Sequence, residues 1–273
     1  MASNKTTVYY AKSLSDVLFH LKTIPQLKIY AGCTSSDKLA PSSLIIRKIS
    51  DFLLIDKHEH FIEFGSAVTL NQILNLGRKR IPSVLYDAAE TIAYPFVRNI
   101  ATIGGNICST GIRHTLYAPL LALDAQLEIQ NPSNSSFIPI MKFYSVPDNC
   151  IISRIRIPSE EWDIALFRRT GPENIISDGS ASFTFLANTN KGILSDLRIA
   201  FCGLVSIRSR ELENTLIGTK LPLSEKSIQL LLIEASNIFS ERTAGIKGKE
   251  DILMMLEAQF LNLLSDSLSM LTL

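Results

Sequence analysis

Two short stretches in the first half of the 273-residue chain combine glycine with hydroxyl-bearing neighbours: Ala31-Gly-Cys-Thr-Ser-Ser and Thr102-Ile-Gly-Gly-Asn. Glycine lets backbone N–H groups approach an anion with no Cβ in the way, and neighbouring hydroxyls add donors. Two such loops could hold one pyrophosphate. The competing reading is that both are ordinary tight turns, as many short glycine motifs are. Neither loop fits GxGxxG or GxxxxGKS/T, so a Rossmann dinucleotide site and a P-loop are both unsupported.

The other chemistry-bearing residues are more scattered. His58-Glu-His60 reads as a solvated turn, because a metal site needs three or four converging ligands. His114, beside Arg113, is either an exposed loop histidine or a functional one. Cys108 reads as a buried small hydrophobe. Arg168-Arg169 is open to a reading as a simple surface charge pair. Cys33, Cys108, Cys150 and Cys202 stand singly, with no CxxC spacing. They cannot make a zinc or iron–sulfur centre, so any such cluster must lie on another chain.

Composition narrows the classes. Hydrophobic residues are 46% and charged ones 19%, which describes a folded chain of roughly one to two domains at about 150 residues each. With 27 Lys+Arg against 26 Asp+Glu, no field attracts a polyanion, and nucleic acid is not an expected partner. No apolar run approaches the ~18 residues of a membrane span, and Met1-Ala-Ser-Asn-Lys-Thr-Thr lacks a signal peptide's apolar stretch. The expectation is a cytoplasmic protein with no membrane contact and reduced thiols.

The elements that must position the loops follow from pattern. Ser13 and Asp16 resemble a capping box before Leu14, Val17, Leu18 and Leu21, and Pro25 stops that helix. Leu27–Ala31 and Leu44–Ile49 read as strands, parallel because helix and strand alternate. Phe61–Val68 is strand-like and Thr69 caps a helix bearing Leu70, Ile73 and Leu74. Pro82 opens a helix with Leu85, Ala88, Ala89 and Ile92 on its buried side and Pro95 as its end. The stretch from Arg98 to Gly111 reads as a loop, followed by a buried helix at Leu116–Leu123, a strand at Ala125–Ile129 and, at Asn131-Pro-Ser-Asn-Ser-Ser, a polar hairpin or surface loop. Ile151–Ile157 alternates until Pro158. The last third offers strands at Ala181–Leu186 and Leu197–Val205, then helices at Ser224–Phe239 and Lys249–Leu264. The expected domains are 1–160, with subdomains of about 1–60 and 61–160, and 161–273.

Ala31-Gly-Cys-Thr, Arg98-Asn-Ile-Ala-Thr-Ile-Gly-Gly-Asn-Ile, Leu120-Leu-Ala-Leu-Asp and Phe167-Arg-Arg resemble, in order and separation, the FAD-binding medium subunit of the molybdenum hydroxylases. That family includes the flavin subunits of bacterial xanthine, nicotinate and carbon monoxide dehydrogenases. The resemblance runs from Tyr9 to about Leu264. It implies an α+β fold: a vanillyl-alcohol-oxidase-type (PCMH-like) FAD-binding domain of two α+β subdomains, followed by a small α+β C-terminal domain. It also implies that Ile29, Tyr30, Ala31, Gly32, Cys33, Thr34, Ser35 and Ser36 wrap the FAD diphosphate. Thr102, Ile103, Gly104, Gly105 and Asn106 then close on the cofactor from the other subdomain. Ile92, Thr115, Ile152 and Arg168 are further implied contacts, with Ile152 against the flavin ring and Arg168 where the family commonly has Lys.

Four departures from the family pattern stand out. Cys33 replaces a glycine and fits only with a negative φ or relaxed neighbours. Ser35 replaces Asp, Gly111-Ile112 replaces Ser-Pro, and Thr115 stands where the family has Asp, removing a strong hydrogen-bond acceptor near the flavin. The function the resemblance implies is an FAD-carrying electron-transfer subunit, with a molybdopterin large subunit and a [2Fe–2S] small subunit as partners and NAD or another final acceptor. Catalytic and metal-binding residues are not expected on this chain. The alternatives are an FAD-free structural or regulatory subunit and a free-standing flavin oxidase, for which the ~110 residues after Glu161 are few.

Overall fold

The computed structural model describes residues 6–34, 38–109 and 111–272. Strand β1, Thr7–Tyr9, precedes helix α1, Leu14–Thr23, which Ser13 caps by accepting a hydrogen bond from the Asp16 amide. The Asp16 carboxylate reaches the Lys12 amide at 2.9 Å instead of that of Ser13, so only half of the capping box forms. Strands β2, Lys28–Tyr30, and β3, Ser42–Ile45, follow. Both β1 and β2 pair with β3 in parallel; for β2 and β3 this is the arrangement that the helix–strand alternation predicts, whereas β1 is an addition to it.

Strands β4, Ile55–Lys57, and β5, Phe61–Gly65, lead to α2, Leu70–Asn75, which carries a complete capping box between Thr69 and Gln72. Helix α3, Ser83–Glu90, stops short of Pro95. Ala93 takes a left-handed φ of 46°, and Pro95 opens the next helix instead of closing this one: α4, Pro95–Arg98. The stretch read as a loop contains a helical turn, α5, Ile103–Ile107, because the Thr102 side chain accepts from the Gly105 amide and caps it. Helix α6, Tyr117–Ala122, is buried at all six positions. Strands β6, Gln126–Gln130, β7, Ser135–Pro139, and β8, Ile151–Pro158, follow. Then come β9, Ile164–Thr170, β10, Ala181–Asn190, β11, Ile193–Cys202, and β12, Ser206–Ile207. Helices α7, Arg210–Asn214, α8, Glu225–Thr243, and α9, Glu250–Ser269, complete the order.

The chain forms two compact units. The first is built from residues 1–81, 93–110 and 124–160, the second from 82–92, 111–123 and 161–273. In the first, α1 covers the β1-β3-β2 sheet, and Val17, Leu21 and Leu44 share a core with Phe52, Ala67 and Ile151. The antiparallel sheet β4-β5-β8-β6-β7 supplies the rest of that unit's frame. On β8, Ile155 and Ile157 are buried while the alternating Arg154 and Arg156 bind Glu63 of β5 at 3.1 and 2.8 Å. The Arg156 guanidinium also lies over the rings of Phe61 and Phe137, at 4.6 and 4.0 Å.

In the second unit the sheet order is β12-β11-β10-β9, antiparallel throughout. Phe260 of α9 gathers Phe183, Phe201 and Phe239 at centroid distances of 6.4, 5.2 and 6.4 Å. Seven consecutive buried residues open β10, which requires cover on both of its faces; α9 and α6 both pack on it. No helix among the described residues is long and apolar enough to cross a membrane.

Candidate functional site

The first loop leaves β2 at Ala31 and is held by close backbone contact. A Cβ on Gly32 would lie 1.9 Å from the Ile100 carbonyl oxygen, so only glycine lets this backbone approach the chain entering the second loop. Tyr30 anchors the loop: its hydroxyl accepts from the Ala40 amide at 3.0 Å and its carbonyl from the Ile46 amide at 2.9 Å. Cys33 takes φ of 53°, so it adopts the left-handed backbone itself, without escaping to negative φ. Cys33 and Thr34 are exposed. Ser35 and Ser36 lie outside the described residues.

The second loop is stitched to the segment after β5. Leu70 donates to the Ala101 carbonyl, Ile103 to that of Val68 and Gly104 to that of Ser66, at 2.9, 3.0 and 2.9 Å. Thr102 pairs with Thr69 in an isolated antiparallel bridge. Thr102, Ile103, Gly104 and Asn106 are buried by this docking, whereas Gly105 is exposed.

Both loops open on one cavity of about 230 Å³ within the first unit. Of the residues the sequence singles out, Ile29, Ala31, Gly104, Gly105 and Ile152 line it. Tyr30, Gly32, Thr102, Ile103 and Asn106 instead hold the loops in place. Sequence reasoning missed Lys28, Ser66, Cys108 and the 146–151 segment, which also line the cavity. In the Asp148-Asn-Cys turn Asn149 takes a φ of 56°, a conformation that this residue type tolerates, and nothing local marks the turn as a cavity wall. Ile92, Thr115 and Arg168 belong to the second unit. Thr115 is buried there, Ile92 is half-buried after α3, and Arg168 is exposed with Nη1 donating to the Phe167 carbonyl at 2.9 Å.

Cys108 is exposed, not buried as its residue type predicts; it is the C-cap of α5, where the turn delivers it to the cavity rather than to a core. Burial pushes the half-buried Cys150 thiol up, an Asn131 hydrogen bond opposing and the Asp148 charge adding to the rise. Burial likewise lowers the His114 pKa and favours the neutral imidazole. The His58 ring stacks on Phe61 at 4.3 Å, and His60 stands exposed 3.8 Å from Glu59. No group of three or more His, Cys, Asp or Glu among the described residues is arranged to hold a metal ion.

Residues 4–160 match the family described as "FAD binding domain in molybdopterin dehydrogenase". The chain belongs to this family. Its relatives among molybdopterin dehydrogenase FAD-binding chains include the xanthine dehydrogenase FAD-binding subunit of Escherichia coli O157:H7. The two are 26% identical over 283 residues, spanning 95% of this chain and 94% of the relative. The nicotine 6-hydroxylase medium subunit of Paenarthrobacter nicotinovorans is 27% identical over 228 residues, covering 77% of this chain and 79% of its own. A chain of carbon monoxide dehydrogenase from Hydrogenophaga pseudoflava superposes with a TM-score of 0.82 at 20% identity, over 98% of both chains. The expected PCMH-like FAD-binding fold is therefore the observed one.

The residues present fit FAD on three counts. Glycine at 32 lets two small-residue loops come together, the exposed Gly105 lines the cavity they share, and a buried hydroxyl beside that cavity, Ser66 Oγ, has no partner among the described residues. At about 230 Å³ the cavity is smaller than the ~300–1,000 Å³ of whole-ligand pockets, so it accommodates part of a dinucleotide and not all of one.

Proposed function

We propose that this chain is the FAD-carrying electron-transfer subunit of a multi-subunit molybdenum hydroxylase. It would take electrons from [2Fe–2S] clusters on a small subunit, downstream of a molybdopterin large subunit, and pass them to NAD or another acceptor. The observation that carries this reading is the convergence of Ala31, Gly104 and Gly105 on one cavity in a chain of this family. Bound FAD supplies the redox chemistry; the protein binds, orients and tunes it.

In this reading the residues divide by task. Gly32, Cys33 and Thr34, with Ser35 and Ser36, present backbone and hydroxyl donors to the diphosphate, and Gly105 closes on it from the second loop. Ile29 and Ile152 offer apolar surface to a ring, and Ile92, Thr115 and Arg168 remain proposed cofactor contacts on the strength of the family resemblance alone. The four free cysteines stand apart in sequence, which leaves the iron–sulfur centres to a partner. The chain works in the cytoplasm.

The purified protein is expected to show flavin absorbance and to release FAD on acid treatment. Co-expression with neighbouring reading frames is expected to yield a complex containing molybdenum, iron and FAD. A colourless chain with no calorimetric FAD binding would replace this reading with an FAD-free structural subunit, to which the departures at Cys33 and Thr115 point. Oxidation of a small organic substrate by the isolated chain, on the order of 1–10³ per second, would replace it with a free-standing oxidase.

A further inference from the structure

Ser66 follows β5 and is 4% exposed. Both of its backbone groups are engaged: its amide donates to the Ser153 carbonyl at 3.0 Å, and its carbonyl accepts from the Gly104 amide at 2.9 Å. Its hydroxyl is different. Ser66 Oγ is buried with no hydrogen-bond partner among the described residues, yet it belongs to the wall of the cavity that Ala31, Gly104 and Gly105 share. A hydroxyl shut away from water without a partner destabilises the protein that carries it, and natural structures keep few of them. An exception at a cavity wall has a ready explanation, which is that the missing partner is a ligand.

The surroundings select the kind of partner. The ideal Cβ position at Gly104 lies 2.6 Å from Ser66 O and 2.8 Å from Ser66 Cβ, so the glycine backbone and the serine side chain are in direct contact. The hydroxyl thus sits beside the backbone that the second loop brings to the cofactor. The apolar side chains of Ile29, Ile46 and Ile152 in the same wall offer no acceptor, and Asp148 and Asn149, which also line it, make no hydrogen bond to Ser66 Oγ. We infer that Ser66 is a further cofactor-binding residue, its Oγ donating a hydrogen bond to an oxygen of bound FAD. This rests on the FAD reading above and adds to it a residue that neither glycine motif contains.

The test compares full-length wild type with Ser66→Ala, after FAD removal, by calorimetric FAD titration and by thermal melting of the FAD-free protein. Alanine keeps the Cβ against Gly104 and removes only the orphaned oxygen. The expected signature has opposite signs: FAD binds about tenfold more weakly, the order of one hydrogen bond to a charged acceptor, while the FAD-free melting temperature holds or rises. An FAD affinity within threefold of wild type overturns the assignment, whatever the melting temperature does. A parallel loss of affinity and FAD-free stability also overturns it, since that marks a hydroxyl needed by the fold. Wild-type protein with no FAD affinity overturns the cofactor reading itself, before any variant is compared.

Discussion

Gly104 and Gly105 are neighbours with opposite surroundings. A Cβ at Gly104 would strike Ser66, whereas one at Gly105 would meet only Thr102 Oγ1, at 3.0 Å. Gly104→Ala is therefore expected to cost about 1–3 kcal/mol of stability through overpacking, measured by chemical denaturation of the FAD-free protein. Gly105→Val is expected to weaken FAD binding at least tenfold with a smaller stability change, because the added bulk enters the cavity. Affinity within about threefold, or ~0.65 kcal/mol, would make Gly105 an ordinary turn residue. Cys33 carries a different strain: its φ of 53° costs a side-chain-bearing residue about 1–2 kcal/mol. Cys33→Gly relieves this against a smaller entropic loss, and the melting temperature is expected to rise by roughly 1–3 °C. Cys33→Ala, which keeps the Cβ, is expected to bring no such gain.

Among the elements, α7 carries the most consequential charge. The Arg208 and Glu213 side chains are 1% and 3% exposed and lie 3.1 Å apart. Glu213 also accepts from the Ile199 amide at 2.9 Å, and Arg208 donates to the Leu121 carbonyl, so the pair ties α7, β11 and α6 together. Burial pushes the Glu213 carboxyl up, with the Arg208 charge pulling it back. Glu213→Gln keeps an acceptor for Ile199 but removes the carboxylate charge 3.1 Å from the buried Arg208 guanidinium. The expected loss is about 3–5 kcal/mol, read from denaturant midpoints; a loss below about 1 kcal/mol would mean that water reaches Arg208.

That network is invisible in sequence, because its members come from distant elements and nothing local marks them. What was legible had a local cause: α1 from Ser13, α2 from Thr69, β8 from its Ile–Arg alternation. Strands β1, β4, β7 and β12 were not read, since edge strands of two to five residues owe their form to a neighbour and not to a period of their own. β9 mixes apolar and basic residues without alternation. For the site, glycine made the two loops legible, while Ser66 and the 146–151 wall were not, because a cavity joins segments that lie well apart in the sequence, from Leu21 to Ile152.

At the level of the whole molecule, the two compact units are not consecutive in the chain. Helix α3, with Val84, Leu85, Ala88 and Ala89 buried, and the wholly buried α6 both lie within the first 160 residues but pack with strands of the second unit. A fragment ending at residue 160 would keep these apolar surfaces and lose what covers them. Such a fragment is expected to aggregate or to bind a hydrophobic dye without a cooperative melt, whereas the full chain melts cooperatively. A soluble 1–160 fragment with a sharp transition and wild-type FAD affinity would show that both helices are dispensable for that unit.

The same threading has a consequence in time. Helix α3 packs on β9, whose first residue is Ile164. At a synthesis rate of about 5–20 residues per second, α3 is made roughly 4 to 15 seconds before that strand exists. Through that interval the ribosome carries a segment whose partner strand is still unmade, and α6 waits in the same way for β10 and β11. Yield in the cell is thus tied to how the nascent chain is sheltered, and slowing elongation between residues 90 and 164 would lengthen the vulnerable period without altering a single contact of the finished protein.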